Sequence, residues 1–119
     1  MRDVGTGLAV VFDNSMDPDV FMADYEQKLR SWQSTGVRKK VLFDLSGVSV
    51  LNVTLANTLR RCFMNLRALS LATVHKVVLF ISNSGVGTFI RAVLPTGTGE
   101  VPVEICTTRS AAAQAFKSP

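Results

Sequence analysis

With 119 residues, 47% of them hydrophobic and 18% charged, the chain has the size and composition of one globular domain and not of a disordered polymer. The longest purely apolar runs, Leu8 to Phe12 and Val77 to Ile81, are too short to cross a bilayer, and Met1 to Gly5 lacks the apolar stretch of a secretory signal, so a cytoplasmic location is expected. The net charge of +4 raises the question of nucleic acid, but the cations are dispersed and no aromatic residues interleave with the one run, Arg38-Lys39-Lys40. That run is expected to be a solvated turn, and the surplus charge points to an acidic protein partner over a nucleic acid.

In chain order, Leu8-Ala9-Val10-Val11-Phe12 predicts a buried strand, with Met1 to Val4 as a weak hairpin partner. Asp17-Pro18 is a helix start, Asp as N-cap and Pro at the first helical position. Phe21, Tyr25, Leu29 and Trp32 form one apolar stripe behind it, and Gly36 supplies the left-handed stop. Val41 to Leu45 is a second strand, ended by Ser46-Gly47. A helix from about Thr54 carries Leu55, Leu59, Cys62, Phe63, Leu66 and Leu69 on one face, with Arg60, Arg61 and Arg67 toward the other. Lys76 to Ile81 is a third strand, after which Ser84 is expected to cap a short helix that Pro95 stops. Thr96 to Gly99 is a turn, and Val101 to Cys106 an edge strand, since Pro102 cannot donate to a ladder. Thr108 or Ser110 caps a terminal helix through Phe116. The alternation of strand and helix predicts an α/β domain spanning residues 1–119, with a mostly parallel sheet.

The stretch Val41-Leu42-Phe43-Asp44-Leu45-Ser46-Gly47-Val48, continuing to Leu55, resembles the signature of the STAS domain, the family of sulfate transporters and anti-sigma-factor antagonists. Members show an apolar strand, Asp-Leu-Ser-Gly-Val, two or three apolar residues, then Asp-Ser-Ser-Gly-Leu opening a helix. The first half matches closely. Against the second half stands Asn52-Val53-Thr54-Leu55-Ala56, with Asn52 for the family's Asp and Leu55 for its Gly. The resemblance implies a mixed sheet of four to five strands with helices packed mainly on one side. It also implies a non-enzymatic regulatory module whose usual partner is a serine kinase-type anti-sigma factor. The phosphoacceptor serine of the bacterial antagonists aligns with Thr54. The partner surface would then comprise Ser46, Gly47, Ser49, Asn52, Thr54, Asn57, Arg60 and Arg61.

Other constellations point less far. Ser82 to Thr88 follows a strand and opens a helix, the context of a phosphate-cradling loop, but only Gly85 and Gly87 are present without a third glycine. Ser84, Gly85, Gly87 and Arg91 are its anion-binding candidates. Asp13 and Asp44 at strand ends could hold Mg²⁺, if close together. Cys62 and Cys106 lack metal or redox spacing and are expected as buried thiols, and the one histidine, His75, leaves no parts for a hydrolase triad or a histidine-based metal site. No cofactor is implied. Phe89, Ile90, Val93 and Leu94 exceed what a two-turn helix needs for one core face, so that helix is a candidate partner or dimer surface. The alternative function is a small apolar or lipid-like ligand held between sheet and helices, which would need an elongated cavity beside Phe63, Phe80 or Phe89.

Overall fold

A computed structural model describes residues 1–5, 7–13, 15–48, 53–93 and 100–118, with the side chains of Ser84, Phe89, Ala92 and Val93 excepted. Five strands, β1 (Arg2–Val4), β2 (Gly7–Val11), β3 (Lys39–Asp44), β4 (Val74–Phe80) and β5 (Val103–Cys106), form one mixed sheet in sequence order. The helices among the described residues are α1 (Pro18–Thr35), α2 (Val53–Met64), α3 (Arg67–Thr73), α4 (Ser84–Val93) and α5 (Arg109–Lys117). β1 and β2 form the antiparallel hairpin, while β2 through β5 run parallel.

Each parallel strand is laid down on the same side of its predecessor. Right-handed crossovers then deposit every connecting helix on one face of the sheet. Accordingly, residues of α1, α2 and α4 share one core with Leu8, Val10, Val41, Phe43, Val77 and Leu79. Only α5, which follows the last strand, packs on the opposite face, where Ala112 and Ala115 meet Val78, Phe80 and Cys106. The burial pattern of each strand follows. β4 lies between two layers and is buried continuously from Val77 to Phe80, whereas the second face of β2 is met by α5 at Gly7 and left open at Val11.

The signals bounding α1 act as read. The Asp17 carboxylate accepts from the amides of Asp19 (2.9 Å) and Val20 (3.2 Å), Pro18 opens the helix, and Gly36 closes it at φ 70°. Asp17→Ala is expected to cost about 1 kcal/mol of unfolding free energy by removing that cap, read as a lowered urea midpoint at unchanged slope.

Four expectations are corrected. The long helix after β3 is two helices, because Leu66 leaves helical geometry (φ −104°, ψ 22°) and the chain restarts as α3. The bend turns Ser70 and Thr73 inward and leaves Leu69 only partly buried; Thr73 Oγ1 meets the requirement of burial by donating to the Leu69 carbonyl at 2.7 Å. Asn83, not Ser84, caps α4, its Oδ1 accepting from the Val86 amide at 3.1 Å. The run Arg38-Lys39-Lys40 is not a solvated turn. Arg38 Nη2 donates to the Leu71 carbonyl, Lys39 lies over the Trp32 ring, and Lys40 Nζ donates to the carbonyls of Phe116 and Ser118. Lys76 Nζ adds a bond to the Ala115 carbonyl at 3.0 Å, so two lysines rooted in the sheet hold the C-terminal turn of α5, where helix carbonyls lack partners. Finally, Ile90 of α4 is fully buried and belongs to the core, not to a docking face; Leu94, Pro95 and the predicted turn at 96–99 lie outside the described residues.

Candidate functional site

The carboxyl ends of the parallel strands gather the loops that precede α1, α2, α4 and α5 along one edge of the sheet. The exit of β3 is closed by a side chain. Asp44 Oδ1 accepts from both the backbone N (2.9 Å) and the Oγ (2.6 Å) of Ser46, an Asx turn that reverses the chain. The Ser46 carbonyl in turn accepts from Ser82 Oγ at 2.8 Å, tying the ends of β3 and β4 together. Asp13 and Ser15 repeat the motif at the exit of β2 (2.8 and 2.6 Å), and these bonds hold the Asp13 carboxyl below the usual carboxylate range. Ser46 is half-buried in its turn and Gly47 exposed, whereas Val48 is buried under the loop.

The helix that follows presents two faces. Leu55, Ala56, Leu59, Cys62 and Phe63 are buried, and Val53, Thr54, Asn57, Arg60 and Met64 are exposed. Thr54 therefore stands in solvent within the first turn of α2, where backbone N–H groups have no intrahelical acceptor and the dipole is positive. Its carbonyl accepts from the buried Thr58 Oγ1 at 2.9 Å, so the hydroxyl of Thr58 bonds inside the helix. Arg61 reaches Asp19 of α1 at 3.3 Å, an exposed pair of little energetic weight. Ser49 and Asn52 lie outside the described residues. No aspartate or glutamate occurs in the sequence between Asp44 and Glu100, so the carboxylates near this face are Asp44 in the turn and Asp19 against Arg61.

The other candidates are dispersed. Gly85 is exposed and Gly87 buried in the opening turn of α4, but Arg91 is in its last turn, roughly 10 Å along the axis at 1.5 Å per residue. The amides of Val86 and Gly87 are already taken by Asn83. Asp13 and Asp44 share the same sheet edge, each occupied by its own serine, and no group of three potential metal ligands occurs among the described residues. Cys62 is buried beside Met22, and burial pushes its thiol up to about 12. Burial and then the Glu104 carboxylate raise the Cys106 thiol as well. His75 is exposed, as expected. Beside Phe43 and Phe63 the sheet and helices enclose a volume of about 10 Å³, room for a single water.

The Ser82 strut and the Asn83 cap were not singled out from the sequence. Each serves a chain segment distant in sequence or shifted by one position, and only the side-by-side placement of β3 and β4 reveals the strut. No family model, curated protein or solved structure matches the chain.

Proposed function

We propose that the chain is a non-enzymatic, cytoplasmic regulatory module that docks a protein partner on the turn after β3 and the exposed face of α2, with Thr54 as a phosphoacceptor. The observation that carries this reading is the exposure of Thr54 in the first turn of α2, the next described helix after the Asp44-Leu45-Ser46-Gly47 turn. The resemblance of residues 41–55 to the STAS signature supplies the partner class, a serine kinase-type anti-sigma factor. The exposed Arg60 favours an acidic partner surface, and the exposed Val53 and Met64 offer it apolar contact. A phosphate on Thr54 would be favoured by the helix N-terminus. It would also bring about −1.5 to −2 charges to a cationic surface, enough to repel acidic groups that dock there.

The test is intact-mass measurement of the protein purified from its own cells, with capture on wild type, Thr54→Ala and Thr54→Glu. We expect a species heavier by one phosphate that Thr54→Ala lacks, and a kinase partner that wild type and Thr54→Ala retain and Thr54→Glu loses at least tenfold. An unmodified mass together with the same partners on all three proteins would remove both the switch and the docking face.

A further inference from the structure

Among the described residues the buried side chains form two separate clusters. The larger lies on the first face of the sheet and takes residues from α1, α2 and α4, with none from α5. The smaller joins Val78, Phe80 and Cys106 of the sheet to Ala112 and Ala115 of α5, with Leu42 and Phe116 at its border. The two share no side chain, so α5 can leave the sheet without taking a residue out of the larger cluster.

Little apolar surface fastens α5. Where α1 buries Phe21, Met22, Tyr25, Leu29 and Trp32, α5 buries two alanines, whose methyl groups have little area to remove from water. A helix of nine residues does not keep its shape alone in water. The remaining attachment is polar. Arg109 lies over the Phe80 ring at 5.2 Å, at the start of the helix. At its end, Lys40 Nζ donates to the carbonyls of Phe116 and Ser118, and Lys76 Nζ to that of Ala115. The Lys76 side chain is only 12% exposed, and its ammonium group also meets Glu104 at 3.2 Å. Bonds from a charged donor in such shelter are stronger than neutral ones. When α5 leaves, both ammonium groups pass into water, and no charge is stranded.

We infer that α5 is a latch: a helix that leaves the second face as a unit while the sheet and α1 to α4 stay folded, held shut chiefly by Lys40 and Lys76. Opening bares an apolar strip made of Leu42, Val78, Phe80 and Cys106, and α5 thereby controls whether that strip meets solvent. The latch lies on the face of the sheet opposite α2, and its test is independent of Thr54.

The two free thiols report the clusters separately, Cys106 the smaller and Cys62 the larger. The test measures alkylation of each by iodoacetamide in wild type, Lys40→Met and Lys76→Met, located by peptide mass spectrometry. Each rate is divided by that of the same thiol in the urea-unfolded protein, and amide exchange is followed in parallel. In wild type we expect Cys106 to react about a hundredfold faster than Cys62 on this scale. Amides of α5 should exchange at a rate nearly independent of low urea, while those of Val78 and Leu79 stay protected. Each lysine substitution should speed Cys106 and the α5 amides about tenfold and leave Cys62 unchanged. Equal protection of the two thiols in wild type, or α5 exchange that rises with urea in step with β4, would overturn the inference, because α5 would then open only with the whole fold. So would lysine variants that leave Cys106 unchanged, its thiol then being reached without release of α5, or that speed both thiols alike.

Discussion

Replacing Phe43 by alanine is expected to remove about 3–5 kcal/mol of stability, the largest loss of any single truncation in the chain. Phe43 is fully buried near the end of β3, and its ring meets Phe12 at 5.1 Å, Tyr25 at 5.7 Å and Phe63 at 6.2 Å, joining the exit of β2, α1 and α2 through one side chain. These four rings come from four different segments of the chain, so neighbours cannot collapse into the space without moving whole helices. Domains of this size have about 5–15 kcal/mol in total, and the variant should lie near the limit of folding. Urea denaturation followed by the fluorescence of Trp32 measures the loss. Val11→Ala, in the same sheet but exposed, should change the midpoint little. A Phe43→Ala midpoint close to wild type would mean that the aromatic cluster does not organise the core. The consequence reaches the proposed docking face, because Phe43 immediately precedes Asp44, whose carboxylate closes the turn at the end of β3.

Much of this arrangement is legible in sequence because its causes are local. The caps of α1 are properties of Asp17, Pro18 and Gly36 themselves, and the alternation in β3 and the unbroken burial of β4 are visible in the order of apolar residues. The exposure of Thr54 likewise follows from helical period, since Leu55 and Leu59 must face the sheet. What escapes the sequence depends on distant partners. Nothing near Lys40 announces that its ammonium group will hold carbonyls 76 and 78 positions away, and a basic run before a strand reads as a solvated turn for that reason. The division of α2 from α3 is hidden because Leu66 remains buried on either side of the bend, so the apolar period continues while the helix does not. Val11 reads as core from composition. Its exposure is set by the helix on the second face, which covers β3 to β5 and meets β2 at Gly7, leaving Val11 at the far end of the strand uncovered.

That second face also makes Gly7 a position where a single methyl group should be destabilising. Gly7 pairs with Lys40 in the parallel ladder, and a Cβ built on it would fall within the Lys40 carbonyl oxygen, 3.0 Å from its carbon and 2.7 Å from Phe116 Cζ. The ring of Phe116 could swing away, but the Lys40 carbonyl is backbone, and moving it opens the β2–β3 ladder. Lys40 is also the residue whose Nζ holds the end of α5, so displacement on one side of the strand loosens the helix on the other. Gly7→Ala is expected to lose about 3 kcal/mol, at the upper end for overpacking, and to raise amide exchange in β2 and α5 together. Exchange that rises in β2 alone would show that α5 is anchored without Phe116. Gly47→Ala provides the contrast, for an added Cβ there meets nothing within 4 Å and no positive φ is required. Its stability should match wild type, yet Gly47 lies on the proposed docking turn. Partner binding that weakens in Gly47→Ala with the urea midpoint unmoved would locate the contact at the β3 exit, and a loss seen only in Gly7→Ala would be the loss of the fold.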